Sequence, residues 1–208
     1  MKKVLSLVVT LLLLIVANAQ ENSNKQNYPQ RAEDISPLLI GEKIDDLSLM
    51  NVQGERVKLK DLFSKKPTIL VFYRGGWCPY CNLQLSGLQE IESDLNGMGY
   101  QVVAVSTDKP ENLQSSMDKT KLSYQLFSDA DLTLAKAMGI AFKAPQAYHQ
   151  FLPESTGGKN KDMLLPVPSV FILNKSGEIR FEYIEPNFKE RIAPELLIGV
   201  AKILIDSL

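Results

Sequence analysis

Both cysteines of this chain occur in one short run, Cys78-Pro79-Tyr80-Cys81, between an apolar segment and a segment with helical periodicity. The apolar segment, 68–73, is rich in residues that favour strands and predicts a strand buried on both faces. Cys78 is expected to cap the following helix, with Pro79 in its first position. A sulfur there faces unpaired backbone N–H groups and the positive end of the helix dipole. Both favour the thiolate, which is the reactive form of cysteine.

The first residues have the composition of a secretory signal peptide. Two lysines precede an almost wholly apolar run over 4–17, and an Ala-Asn-Ala cleavage pattern follows. The run is shorter than the roughly 20 apolar residues that a membrane-spanning helix needs. We therefore predict that residues 1–19 are a signal peptide, and that the mature protein is exported, periplasmic and not stably inserted in a membrane.

The rest of the chain is expected to form one domain. Residues 20–37 are polar and predict a flexible linker, and residues 38–208 form the predicted domain. The 208-residue chain is 45% hydrophobic, which is enough for an ordinary core. Its net charge of -1 and the lack of a basic stripe argue against nucleic acid as a partner.

The spacing of the two cysteines favours redox chemistry over a structural role. A disulfide between Cys78 and Cys81 closes a very small loop, which stabilises a fold little. A structural zinc site usually needs four ligands, and two cysteines with the single His149 do not supply them within one chain. We expect no cofactor. A metal-carrying or redox-silent module, with His149 as a distal ligand, remains the alternative.

Strand and helix patterns alternate along the chain and predict an α/β fold. A hairpin is expected around residues 51–54, and the stretch 141–166 has no clear period, so it is either a functional segment or a surface insertion. Asp129 is expected to cap a helix that runs to 138. The other predicted strands cover 101–106, 124–127, 169–173 and 178–184, and the other predicted helices cover 79–95, 110–119 and 194–208.

The motif Trp77-Cys-x-x-Cys, followed later by Val167-Pro168, is similar to the signature of thioredoxin-fold proteins. The resemblance implies a cis Val167–Pro168 bond beside the active sulfur, where a partner's backbone can pair. It also implies that Cys78 is the exposed nucleophile and that Cys81 is the resolving thiol.

The chain more specifically resembles the peroxiredoxins of the alkyl hydroperoxide reductase/thiol-specific antioxidant family. The matching segments are 40–43, 103–108, 127–129 and 171–174, and the run Tyr-Arg-Gly-x-Trp-Cys-Pro-x-Cys is similar to that of peroxiredoxin-like proteins. This resemblance implies a thioredoxin-like fold, with a central mixed β-sheet flanked by helices and an N-terminal β-hairpin extension of peroxiredoxin type.

The chain departs from the family's catalytic pattern at three positions. Typical peroxiredoxins have proline and threonine where this chain has Val71 and Gly75, and an arginine where it has Pro168. Thioredoxins have a buried acid where Phe72 stands. Neither catalytic set is complete.

Arg74 is the main candidate for tuning the sulfur. A guanidinium near Cys78 lowers the thiol pKa and can donate hydrogen bonds to a peroxide oxygen. The alternative is an Arg74 side chain that points to solvent or pairs with a carboxylate. Trp77 is expected to cover the sulfur or to pack in the core, and Tyr80 to lie beside the cysteines on the first helical turn.

Two activities remain open for this pair of sulfurs. Attack on a peroxide gives a sulfenic acid at Cys78, which Cys81 then resolves. Attack on a protein disulfide gives a mixed disulfide, which Cys81 resolves by exchange. Either cycle requires an external thiol donor, such as a thioredoxin-like protein, to restore the reduced pair.

Overall fold

The structure, a computed structural model, describes residues 27–208. The predicted signal peptide and the first residues of the predicted linker lie outside the described residues. The strands are β1 Ser48–Asn51, β2 Arg56–Lys58, β3 Thr68–Phe72, β4 Gln101–Ser106, β5 Gln125–Ser128, β6 Ala141–Lys143, β7 Leu164–Pro166, β8 Ser169–Leu173 and β9 Ile179–Ile184. The α-helices are α1 Leu59–Phe63, α2 Pro79–Gly97, α3 Pro110–Thr120, α4 Thr133–Ala137, α5 Leu152–Ser155 and α6 Pro194–Leu204. Within residues 27–208, no helix combines the length and apolar character needed to cross a bilayer.

Seven strands form the mixed central sheet that the sequence predicts, in the order β2-β1-β5-β4-β3-β8-β9. The three strands β3, β4 and β5 are parallel, and β8 and β9 extend the sheet antiparallel beside β3. The predicted N-terminal hairpin is β1–β2, and β1 joins the sheet through β5. The α/β, thioredoxin-like architecture is thereby confirmed.

The sheet is covered on both faces, because successive side chains of β3 point to opposite sides. Ile69 and Val71 join the core layer that contains α2, α3 and α6. Leu70 and Phe72 join the layer that contains α1 and α4. β3 is therefore buried throughout, and its carboxyl end delivers the chain directly to the cysteine motif at the start of α2.

Residues 27–37 lie against the domain, which differs from the flexible linker predicted there. Tyr28 and Ile35 pack against the core layer of α1 and α4. The Leu38 N–H donates to the Met138 carbonyl at 3.0 Å. The reason is that burial of a few apolar side chains, such as Tyr28 and Ile35, is sufficient to hold the polar segment 27–37 against the core layer of α1 and α4.

The stretch 141–166, which has no clear period in the sequence, forms a small unit of its own. β6 and β7 pair antiparallel as a separate two-stranded sheet, and α5 lies between them in the chain. Leu152 and Leu165 form a third small core with Ala144. This unit brings aromatic residues over the start of α2.

The predicted cis bond between Val167 and Pro168 is wrong, since the described residues contain no cis peptide bond. The two residues connect β7 to β8. The Val167 N–H donates to the Ile140 carbonyl at 2.9 Å, and the Pro168 carbonyl accepts from the Glu185 N–H at 3.0 Å. The trans form is the ordinary preference of an X–Pro bond.

Candidate active site

The cysteine motif occupies the junction between β3 and α2. Cys78 has extended backbone angles and is the N-cap, and Pro79 is the first helical residue, as the sequence predicts. The Cys78 N–H donates to the Gly75 carbonyl at 3.1 Å, and the Asn82 side chain donates to the Gly76 carbonyl at 2.9 Å. These bonds hold the loop against the first turn of the helix.

The two sulfurs have different surroundings. Both cysteines are free thiols. Cys78 is 2% exposed, but it lines an open cavity of about 690 Å³. Cys81 is fully buried within the core. A small reagent therefore reaches Cys78 through the cavity. Cys81 is buried, so we expect it to react only with the sulfur of Cys78.

Local hydrogen bonds favour the Cys78 thiolate. The largest effect on the pKa of Cys78 is the hydrogen bond from the Cys81 thiol, which lowers it. The Cys81 N–H and the charges of Arg74 and Arg191 lower it further, while burial raises it. The resulting pKa of Cys78 is about 6. Burial, together with the hydrogen bond to Cys78, raises the pKa of Cys81 well above its ordinary value. The pair thus consists of an anionic sulfur and a neutral thiol that donates to it.

Arg74 is buried among aromatic rings, rather than pointing to solvent or pairing with a carboxylate. Its guanidinium carbon lies 4.4 Å from the ring centroid of Tyr148, 4.5 Å from that of Phe188 and 5.2 Å from that of Trp77. The side chain lines the cavity, and its Nε has no hydrogen-bond partner within the described part of the chain. A positive charge with a spare donor thus lies beside Cys78.

Trp77 and Tyr80 also line the cavity. The Trp77 ring packs on Phe151 at 4.8 Å and on Tyr148 at 5.6 Å, so it joins the site to the unit formed by 141–166. Tyr80 is 38% exposed, and its ring lies 5.8 Å from that of Phe188.

Val167 and Pro168 differ from this group. Both are buried, and neither is among the residues that line the cavity. The structure thus brings Cys78, Arg74, Trp77 and Tyr80 to one cavity, and does not bring the Val167-Pro168 pair to its wall.

Arg191 contacts the second sulfur, and sequence reasoning missed it. It belongs to the loop that precedes α6, and its Nη2 donates to the Cys81 sulfur at 3.4 Å. Its Nη1 donates to the Phe188 carbonyl at 2.6 Å, which fixes the guanidinium. No local pattern identifies this arginine, because 110 residues separate it from Cys81.

Asp108 is a second residue that sequence reasoning did not assign to the site. It follows β4, is 1% exposed, and lines the cavity of Cys78. Its Oδ2 accepts from the Gly76 N–H at 2.6 Å. Burial raises the pKa of Asp108 to about 6, opposed by that N–H and by the nearby Ser106 hydroxyl. The one sequence signal that could have assigned Asp108 to the site was its position just after β4, the buried strand that pairs with β3.

Comparison with known proteins identifies the family of the chain. The family model described as "AhpC/TSA family" matches residues 40–182. The chain belongs to the AhpC/TSA family. Peroxiredoxin Bcp of Escherichia coli is 33% identical over 106 residues, which cover 51% of this chain and 67% of that protein.

Two solved structures have the fold of this AhpC/TSA protein. Peroxidoxin BcpB of Mycobacterium tuberculosis has a TM-score of 0.64 at 17% identity, covering 81% of this chain and 97% of that chain. Reduced Prx3 of Vibrio vulnificus, solved in complex with H₂O₂, has a TM-score of 0.67 at 15% identity, covering 79% and 96%. The family match and the sequence relative make the chain a peroxiredoxin-type thiol peroxidase, and the two solved structures show its thioredoxin fold.

The presence of glycine at position 75, where typical AhpC/TSA proteins have threonine, has a steric explanation. Its φ is +152°, and a Cβ atom there would lie 2.2 Å from the Trp77 Nε1 and 2.9 Å from the Asp108 Oδ1. The space that a side chain would occupy is therefore filled by groups from two other residues. In this AhpC/TSA protein a threonine does not fit at 75 unless the loop moves.

His149 lies away from the sulfurs. Its Nε2 pairs with the Ala144 carbonyl at 2.9 Å, in a pocket distinct from the one that Cys78 lines. Across residues 27–208, no group of three or more His, Cys, Asp or Glu side chains is placed to hold a metal ion. The geometry gives the metal-carrying alternative no site that joins His149 to the cysteines.

Proposed function

We propose that Cys78 is the peroxide-reacting sulfur of this enzyme and that Cys81 resolves it. The observation that carries the proposal is the state of Cys78. Its pKa is lowered to about 6 at the start of α2, and it lines the open cavity with Arg74. A thiolate that substrate can reach is the requirement for attack on a peroxide.

The cycle balances with the groups present and one external reductant. The Cys78 thiolate attacks a peroxide oxygen, the S–O bond forms, the O–O bond breaks, and water or an alcohol leaves. The Cys81 thiol then forms the disulfide with Cys78 and expels water. An external dithiol, such as a thioredoxin-like protein, reduces this disulfide and is itself oxidised.

Arg74 has the position for two tasks in this cycle. Its charge favours the Cys78 thiolate. Its Nε is buried and has no hydrogen-bond partner in the described part of the chain, and since the side chain lines the cavity we expect the guanidinium to donate a hydrogen bond to a bound peroxide oxygen. Because the guanidinium is held between aromatic rings, it is preorganised and needs little rearrangement during the reaction.

The direct test mixes the reduced protein with hydrogen peroxide and a thiol donor. We expect donor-dependent peroxide consumption, and dimedone should label Cys78 during turnover, as identified by peptide mass spectrometry. Absence of peroxide consumption together with absence of the Cys78 adduct would refute the proposal.

A disulfide exchange activity is the second candidate, because the two free thiols lie adjacent at the start of a helix. An insulin-reduction assay measures it. Cys81→Ser should then retain protein partners as mixed disulfides at Cys78. If insulin is not reduced and no mixed disulfide accumulates, this candidate is eliminated.

Export to the periplasm is part of the proposal and rests on the pattern of residues 1–19 alone. The expected mature N-terminus is Gln20, and intact-mass measurement of the protein from a periplasmic extract checks it. A chain that keeps residues 1–19 would contradict export by this route.

The reaction of the reduced protein with iodoacetamide should follow the ionisation of Cys78. The rate is expected to be half-maximal near pH 6, to stay high above it and to fall below it, since only the thiolate reacts. In urea the midpoint should move to about 8.5, the ordinary value for cysteine. A folded-state midpoint above 8 would contradict the lowered pKa.

Arg191→Met is expected to slow the resolving step more than the peroxide step. The substitution removes the guanidinium 3.4 Å from the Cys81 sulfur, which makes the Cys81 thiolate harder to form. We expect disulfide formation to slow by about tenfold, the worth of one hydrogen bond to a charged group. Stopped-flow Trp77 fluorescence measures both steps.

Arg180→Met is the control, because Arg180 pairs with Glu178 on the far edge of the sheet. Equal slowing in both variants would contradict the assignment.

A further inference from the structure

A turn near the C-terminus reaches the cavity of Cys78. The turn, residues 187–190, lies between β9 and α6, and its Phe188 lines the cavity wall. The Phe188 side chain is half-buried. The turn lies beyond residues 40–182, the part of the chain that the AhpC/TSA model matches. The family match therefore assigns no role to Phe188, although this residue contacts the active site.

The Phe188 ring is one of two rings that lie almost equally close to the Arg74 guanidinium. The guanidinium carbon is 4.5 Å from the ring centroid of Phe188 and 4.4 Å from that of Tyr148. The two rings come from separate parts of the chain, since Tyr148 belongs to the unit formed by 141–166. A cation over an aromatic face is attracted to it, most strongly where water is excluded.

No carboxylate fixes the Arg74 guanidinium. Within residues 27–208, none of the salt bridges involves Arg74, and its Nε has no hydrogen-bond partner. Asp108 and Glu154 line the same cavity without pairing with it. Its positive charge, which favours the Cys78 thiolate, is therefore not neutralised by a salt bridge. The contacts that remain to hold the guanidinium in place are those with the aromatic rings.

Hydrogen bonds fix the turn that carries Phe188. The Asn187 carbonyl accepts from the Glu190 N–H at 2.9 Å. The Phe188 carbonyl accepts from the Arg191 Nη1 at 2.6 Å, and the Nη2 of the same guanidinium donates to the Cys81 sulfur at 3.4 Å. The backbone of Phe188 is thus connected to the second sulfur, while its ring contacts the arginine beside the first.

We propose that Phe188 is a positioning residue of the active site, which holds the Arg74 guanidinium against Tyr148 and beside Cys78. This inference rests on the proposed peroxide reaction at Cys78. Without the Phe188 ring, the cavity is open on that side of the guanidinium, and the long arginine side chain is free to move away from the sulfur. Its charge then stabilises the thiolate less, because the Coulomb energy falls with distance. Its N–H groups also lose the fixed orientation toward a bound peroxide oxygen.

Phe188→Leu tests this role, because it removes the ring and keeps an apolar side chain at a half-buried position. We expect the pH midpoint of iodoacetamide alkylation to rise by about 0.5 to 1 unit, a part of the roughly 1 to 3 units that an adjacent opposite charge contributes. At about pH 9, where Cys78 is a thiolate in both proteins, the alkylation rates should agree within about twofold. The peroxide rate constant at pH 7 should fall by about tenfold, less than when a preorganised donor is removed outright.

Three further variants separate positioning from general packing. Phe188→Tyr keeps the ring and should keep the midpoint and the peroxide rate of the parent protein. Phe188→Met removes the ring with a more adaptable side chain, and should repeat the result of Phe188→Leu. Phe181→Leu is the matched control, because Phe181 is also a partly buried phenylalanine, but it packs against the core layer of α2, α3 and α6 and does not line the cavity. This control should keep both parent values.

A raised midpoint in Phe188→Leu and Phe188→Met, with parent values in Phe188→Tyr and Phe181→Leu, supports the positioning role. An unchanged midpoint in the two variants without the ring overturns it. An equal rise in Phe181→Leu also overturns it, since that rise reports a general loosening of the fold. The alkylation measurement needs no peroxide. Failure of the parent protein to react with peroxide would therefore overturn the proposed function alone, and the two failures are distinguishable.

Discussion

Cys78→Ser should abolish peroxide reduction, with a loss of at least about 10³-fold, because removal of a nucleophile leaves no group that can take its place. Cys81→Ser should behave differently. Its hydroxyl still donates to the Cys78 sulfur, so the first reaction with peroxide is retained, and the sulfenic acid accumulates because nothing resolves it. Stopped-flow mixing with one equivalent of peroxide, followed by dimedone labelling, measures both results.

Each cysteine variant is the control for the other, since both replace one sulfur with oxygen at neighbouring positions. The reverse result, with a peroxide reaction retained in Cys78→Ser and lost in Cys81→Ser, would exchange the two assigned roles. The full burial of Cys81 makes that result unexpected, because peroxide has no direct path to that sulfur.

Arg74→Met is expected to raise the Cys78 pKa and to reduce the peroxide rate constant at pH 7 by about 10²-fold, in the range found when one preorganised donor is removed. The fold should tolerate the change, because methionine fills an apolar space between Tyr148 and Phe188 without burying a charge. Thiolate absorbance at 240 nm measured against pH reports the pKa, and stopped-flow mixing reports the rate.

Arg74→Lys refines the result. It keeps the positive charge but loses the planar group that stacks between the rings, so we expect a smaller rise in pKa than in Arg74→Met. Arg180→Met serves as the control outside the site. If Arg74→Met keeps the parent pKa and rate, Arg74 contributes only packing to the cavity.

Local patterns predicted the elements that carry strong local signals. β4 and β8 occupy the predicted residues, and α2 starts at Pro79 after its N-cap, because uninterrupted apolar runs and a proline in the first turn act within a few residues. The helix after Asp129 was also expected, but it begins only at Thr133. The reason is that Asp129 reaches forward to the Leu134 and Ala135 N–H groups across an intervening turn.

Other elements had no such signal. β6 and β7 are three residues each and exist because they pair with one another, which periodicity within either segment does not reveal. Residues 27–37 look polar and detached in the sequence, but Tyr28 and Ile35 hold them on the domain. The expected cis bond at Pro168 came from resemblance, and the bond is trans.

The sequence by itself determined where the proposed reactive sulfur lies, because a strand end, an N-cap cysteine and a first-turn proline are set by neighbouring residues. Only the tertiary structure decided what surrounds that sulfur. Arg191, Asp108 and Phe188 come from distant parts of the chain, and their approach depends on strand order and loop packing rather than on any local pattern. For a peroxidase this division matters, because the thiol supplies the electrons while groups from distant parts of the chain set its charge and its access to substrate.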